Sequence, residues 1–180
     1  MRVIAGKHRG RTLKSPKHRG VRPTADRVKE ALFNILGARI DGAAFLDLFA
    51  GTGAIGIEAI SRGAATVVFV DQSPLSVKLI HQNLKLIEPN HNFPVLCLPF
   101  TRAIDLLAEE KIYFDLVFLD PPFEDRILIQ AVQGILSADL LKENGIIIAE
   151  HPCKFRFELP EFHGETRNYG DICLTFLHKR

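Results

Sequence analysis

Three uninterrupted apolar runs, VVFV (67–70), LVFL (116–119) and IIIA (146–149), each run straight into an acid: Asp71, Asp120 and Glu150. Apolar runs of this length without polar alternation fit strands buried on both faces of a parallel sheet. Between and before them the apolar positions recur at helical spacing. The predicted order is strand 43–50, helix 53–63, strand 66–71, helix 74–87 opened by Pro74, strand 93–100, helix 101–110, strand 113–120, helix 125–137 and strand 145–150. The helix over 125–137 turns Ile127, Ala131, Ile135 and Leu136 inward. Upstream, Val28, Ala31, Leu32, Ile35 and Leu36 predict one more helix, with Thr24 as N-cap, Asp26 in the first turn and Gly37 at the end. Downstream, 156–159, 164–169 and 171–179 read as antiparallel additions, with Gly170 in a turn. At the start, segments 2–6 and 10–16 predict a hairpin whose basic tip, with Lys7, His8, Arg9 and Arg11, lies between Gly6 and Gly10. Residues 20–23 form a loop. The whole, 1–180, is expected to be one α/β doubly wound domain with residues 1–23 as an appendage.

Composition narrows this little: 47% hydrophobic residues suit a globular protein, and no run of apolar residues is long enough to span a bilayer. The start has no signal-peptide core, so the expected location is the cytoplasm. Charge says more. The first 25 residues carry eight of the 23 basic residues and none of the 21 acidic ones. A basic arm on a mildly acidic body points to a polyanionic partner, nucleic acid above all. Cys97, Cys153 and Cys173 are an odd number without close spacing and are expected to be reduced thiols. His151 and Cys153 lack further ligands nearby, so no metal is expected. Glu58, Arg62 and Lys78 read as solvated helix faces.

LDLFAGTGAIG (46–56) combines a strand end, a glycine turn and a helix start, and Gly51, Gly53 and Gly56 satisfy GxGxxG. Asp71 follows Gly51 by 20 residues, the spacing of a carboxylate that binds a ribose hydroxyl. The pattern points to an adenosine-type ligand. A dinucleotide would put its pyrophosphate on the helix N-terminus, where Asp47 would repel it. Asp47 suits a cationic or amino-bearing ligand instead, such as the methionine part of S-adenosylmethionine.

DPPF (120–123) stops a strand with two residues that donate no backbone hydrogen bond. An exocyclic base amine is a poor nucleophile because its lone pair is delocalised into the ring. Two acceptors for its N–H bonds draw it towards a tetrahedral geometry. Asp120 and the Pro121 carbonyl can serve, Pro122 stiffens the segment, and Phe123 offers a face for a flipped base.

With these motifs, MRVIAGKHRGRTL (1–13), RPTADRVKEALFNIL (22–36), VFVDQS (68–73) with Asn83, and NYGD (168–171) together resemble the RsmD family. Those are bacterial methyltransferases that modify the 2-amino group of a guanine in small-subunit ribosomal RNA. DPPF itself resembles the [DN]-P-P-[YFW] motif of base-amine methyltransferases. The resemblance implies a Rossmann-like class I methyltransferase fold with a mostly parallel, seven-stranded sheet, S-adenosylmethionine as cofactor, and 16S rRNA, alone or in a partly assembled subunit, as partner. It implies that Asp47, Gly51 and Gly53 meet the methionine part and Asp71 the ribose, with Phe49 and Phe100 completing the cofactor set. Asp120, Pro121, Pro122 and Phe123 would hold the amine. Lys7, Arg9, Arg11, Lys14, Arg22 and Arg27 would grip RNA phosphates. A monomer is expected. Where tyrosine is common after the second proline this chain has Phe123, and LPFTRA (98–103) lacks the acid often found near the adenine. Three rivals differ in kind: a methyltransferase for another base or for DNA, a nicotinamide-dependent oxidoreductase, and a non-catalytic RNA-binding protein.

Overall fold

The protein is described here by a computed structural model covering residues 1–16, 23–90, 92–122, 125–155 and 162–179. Seven strands, β1 Ala44–Asp47, β2 Thr66–Val70, β3 Val95–Leu96, β4 Phe114–Leu119, β5 Leu141–Pro152, β6 Phe162–Tyr169 and β7 Ile172–Lys179, form one sheet in the order β3-β2-β1-β4-β5-β7-β6. Among the described residues, five α-helices, α1 Pro23–Leu36, α2 Ala54–Ser61, α3 Pro74–Ile87, α4 Phe100–Glu109 and α5 Asp125–Ser137, and a 3-10 turn, Gly37–Ile40, accompany it. The first five strands in chain order pair in parallel, and β7 joins antiparallel to β5 and β6. This is the doubly wound sheet that the apolar runs predict.

The alternation of side chains along each strand sorts the core into two layers. Phe45, Phe69, Phe118 and Ile148 face one layer, shared with α1, α2, α3 and the N-terminal arm. Leu46, Val68, Val117 and Ile147 face the other, shared with α4 and α5. Two residues beyond each member of the first set stands an acid: Asp47, Asp71, Asp120 and Glu150. Period-two alternation thus gives all four acids the same phase.

Several boundaries differ from expectation. The edge strand β3 is two residues long where 93–100 was predicted. Pro94 and Pro99 cannot donate to the ladder, and Phe100 already begins α4. β5 runs twelve residues rather than six, because Leu141 already pairs with Phe114 of β4 and β7 pairs with β5 as far as Pro152. Helix α1 begins at Pro23, whose fixed φ suits the first helical position, so Thr24 lies inside the helix rather than at its cap. The strand predicted over 156–159 and most of the loop at 20–23 lie outside the described residues.

The N-terminal hairpin is present as two antiparallel segments joined, among the described residues, by an isolated bridge from Arg2 to Thr12. Val3 N–H donates to the Arg11 carbonyl at 2.9 Å, and Gly6 and Gly10 both take positive φ. It packs onto α2. Gly6 sits so close that a Cβ there would lie 1.7 Å from the Ser61 carbonyl oxygen. Ser61 donates its hydroxyl to the Ala5 carbonyl, and the Lys7 N–H donates to the Ser61 carbonyl. Covered by the sheet on one side and the arm on the other, α2 is buried at every position from Gly56 to Ser61.

That cover overturns the reading of Glu58 and Arg62 as solvated. Glu58 is fully buried, and its carboxylate accepts the N–H groups of Ile4 and Ala5 at 2.8 and 3.0 Å. Arg62 Nε donates to it at 2.8 Å while its guanidinium lies 5.0 Å from the centre of the Phe33 ring. Lys29 Nζ stands 3.3 Å from the same carboxylate and donates to the Arg2 carbonyl at 2.7 Å. Lys78 is exposed, as expected.

The cysteines are a second correction. Cys153 and Cys173 form a disulfide, and Cys97 is free and exposed. Antiparallel pairing sets His151 opposite Cys173, and the Cys153 N–H donates to the Asp171 carbonyl just past the ladder. This register brings the two Cα atoms to 4.9 Å across 20 residues of sequence. No helix among the described residues is long and apolar enough to cross a membrane.

Candidate active site

The four acids stand in a row along the carboxyl ends of β2, β1, β4 and β5, where doubly wound sheets bind their ligands. Asp47 is 1% exposed and accepts the Gly56 N–H at 3.0 Å, so it is tied beneath the N-terminal half of α2. Burial, outweighing that hydrogen bond and reinforced by the charges of Asp120 and Asp71, pushes its pKa up to about 7. Asp71 is half-buried and holds the turn from both sides: Oδ2 accepts the Gly51 N–H and Oδ1 the Ser73 N–H, each at 2.8 Å. Gly56 is where helix meets strand most closely, for a Cβ there would lie 2.3 Å from the Phe69 ring. The glycine turn is therefore a rigid platform with carboxylates below and beside it.

Asp120 is exposed, Pro121 half-buried and Pro122 exposed. Parallel pairing of Leu119 with Ala149 makes Asp120 and Glu150 neighbours on adjacent strands. Burial and the charge of Asp120 push Glu150 up to about 8. Phe123 lies outside the described residues, as does Arg22. Phe49 and Phe100 are brought together, ring centres 5.4 Å apart, on the α4 side of the glycine turn.

The basic residues divide. Arg9, Arg11 and Arg27 are exposed. Lys7 pairs with Glu88, which also receives His8 at 3.2 Å. Lys14 is held through its backbone: its N–H donates to Asn83 Oδ1 at 2.7 Å, and its carbonyl accepts from Asn83 Nδ2 at 3.0 Å. The same Nδ2 donates to the Thr52 carbonyl, inside the glycine turn, at 2.9 Å. Asn83 is fully buried. A lone asparagine in a helix gives no local signal of such a joint; it stood out only in the family resemblance.

Over residues 1–178 the chain matches the family model described as Conserved hypothetical protein 95. It is 37% identical over 152 residues to Ribosomal RNA small subunit methyltransferase D of Haemophilus influenzae, covering 83% of this chain and 78% of that one. The chain belongs to the RsmD family. Its identity to Bacillus subtilis YlbH is 40% over 175 residues, 97% of this chain and 91% of that protein. Among solved structures, Escherichia coli yhhF superposes with a TM-score of 0.87 at 30% identity, over 100% of this chain and 98% of that one. The fold of this RsmD-family chain is that of the class I methyltransferases.

A pH effect follows from Asp47. Its carboxyl holds a proton in the folded state up to about pH 7, whereas in the unfolded chain it ionises near its ordinary value of 3.8. Between those values the folded state binds more protons, so ionisation of the unfolded chain costs stability as pH rises. Asp47→Asn removes this term. Urea midpoints of the native protein should fall from pH 5 to pH 8 by more than those of the variant; parallel declines would refute the assignment.

Proposed function

We propose that this protein transfers the methyl group of S-adenosylmethionine to the 2-amino group of a guanine in small-subunit ribosomal RNA. The observation that carries the reading is the row of four acids at the strand ends around an exposed Asp120, beside a glycine turn. In its ionised form Asp47, beneath the glycine turn, would repel a pyrophosphate and attract a sulfonium or an ammonium. This disfavours a nicotinamide dinucleotide. S-adenosylmethionine supplies an electrophilic methyl group when bound. Its residues here would be Asp47, Phe49, Gly51, Gly53, Asp71 and Phe100.

The chain's own part is to make the amine reactive and hold it still. The Asp120 carboxylate and the Pro121 carbonyl accept its two N–H bonds, directing the lone pair away from them. Because both acceptors stand where a strand ends on two prolines, little reorganisation accompanies reaction. The amine becomes strongly acidic once alkylated, so the carboxylate suffices to take the proton. Arg9, Arg11 and Arg27 are free to meet phosphates, with Arg22 beside them in sequence. Lys7 pairs with Glu88, while Lys14, held by Asn83 through its backbone alone, keeps an exposed side chain for a phosphate. Relatives named for small-subunit rRNA support this substrate. A cytoplasmic monomer acting on rRNA, free or in a partly assembled subunit, completes the reading.

The test is tritium transfer from S-adenosylmethionine into small subunits, assembly intermediates and naked rRNA lacking the modification, followed by nucleoside analysis. Labelled 2-methylguanosine is expected. Label on another base, or none despite cofactor binding, would overturn the reading in favour of another nucleic acid or a non-catalytic role.

A further inference from the structure

Glu150 is the one acid of the row that the mechanism above leaves without work. It continues β5 in the phase of Ile146 and Ile148 and so shares the face of Asp120. Its strand neighbour on the other side is Leu174, which is fully buried and apolar. The carboxyl is half-buried, and no hydrogen bond to it is formed among the described residues. A polar group in that position costs stability unless something pairs with it. Its half-buried carboxyl thus stands open beside Asp120, the residue given to the target amine.

Resting on the guanine reading above, we propose that Glu150 selects guanine: its carboxyl pairs with the N1–H and O6 of the target base while Asp120 holds the amine. The dimensions agree. Parallel neighbours lie about 4.8 Å apart. The Watson–Crick edge of guanine, from the amine to O6, is of similar length. A base with its amine at Asp120 therefore reaches Glu150 with its lactam edge. That edge offers one donor and one acceptor side by side. A neutral carboxyl offers the complementary acceptor and donor, closing a ring of two hydrogen bonds. Burial and the charge of Asp120 push the Glu150 carboxyl up, to about 8, which favours this neutral form. An ionised carboxylate would instead repel O6.

Chemistry separates this from a merely structural or a charge-based role. Glutamine also presents an acceptor and a donor, so Glu150→Gln should keep the pairing, whereas Glu150→Ala abolishes it. The base can be edited as well: 2-aminopurine keeps the reacting amine but lacks both O6 and the N1 hydrogen. The experiment compares kcat/KM for substrate RNA carrying guanine or 2-aminopurine at the mapped position. The enzymes are the native protein, Glu150→Gln and Glu150→Ala, each checked for cofactor binding and thermal melting.

The native enzyme should prefer guanine by roughly ten- to a hundredfold, the worth of a good bidentate base contact. Glu150→Ala should lower the guanine rate and bring the two RNAs within about threefold. Glu150→Gln should restore most of the preference. A native enzyme indifferent to the substitution overturns the proposal without any variant, and so does Glu150→Ala retaining the native preference. Equal damage from Gln and Ala would also defeat it, by showing that the charge matters. Failure of the native enzyme to methylate guanine at all would overturn the proposed function instead.

Discussion

Asp120→Ala should cut methyl transfer by a factor of about a hundred to a thousand, the cost of removing an oriented transition-state partner. Cofactor affinity should stay within about threefold. Asp120 is exposed beyond the end of β4, and thermal melting of the variant reports any change in the fold apart from the loss of activity. Asp120→Asn keeps one oxygen acceptor and should lose much less activity. A further signature comes from electrostatics. The charge of Asp120 helps hold both Asp47 and Glu150 up, so its removal should lower both titrations. Single-turnover rates with saturating cofactor, together with carboxyl titration by NMR, measure both effects. If Asp120→Ala retained activity within about tenfold, DPPF would be a strand stop and nothing more.

Glu58→Ala should destabilise the protein by about 3–5 kcal/mol, the range for breaking a buried ion pair from one side. The loss has three parts. Lys29, 3% exposed, would keep its ammonium without a counterion. Burial already outweighs the attraction of Glu58 and holds the lysine below its ordinary range. The N–H groups of Ile4 and Ala5 would lose their acceptor. Arg62 would lose the contact that holds it over Phe33. Because the first two parts fasten the arm, tryptic cleavage at its exposed Arg9 and Arg11 should quicken before global unfolding does. Replacing both partners, Glu58→Leu with Lys29→Met, should recover much of the stability in urea denaturation, since no buried charge is then left alone. A drop below about 1 kcal/mol in the single variant would mean that water replaces the carboxylate.

The sheet was legible because its signal is local. Apolar runs ending on acids mark both the strands and the site, and simple alternation carries Asp47, Asp71, Asp120 and Glu150 to one face. What depends on distant pairing was not legible. Glu58 lies on a helix that looks amphipathic until the first residues of the chain fold over it, 53 and 54 residues away. The Cys153–Cys173 bond needs the antiparallel register of β5 and β7, and nothing in a spacing of 20 announces it. The short β3 differs in kind, for its limits are local: Pro94 and Pro99 bracket Val95–Leu96 and cannot donate to a ladder.

Asn83 gives the arm and the glycine turn a shared fate. One amide fastens Lys14 to the body and, through the same nitrogen, fastens the Thr52 carbonyl. Pulling the arm outward strips the turn of a tether; tightening the turn steadies the arm. Reciprocity then makes the free energy by which a ligand at one end favours a ligand at the other the same in both directions. If the arm holds the polyanion and the glycine turn the cofactor, as proposed, neither is a passive handle: grip at one and readiness at the other are two readings of a single balance.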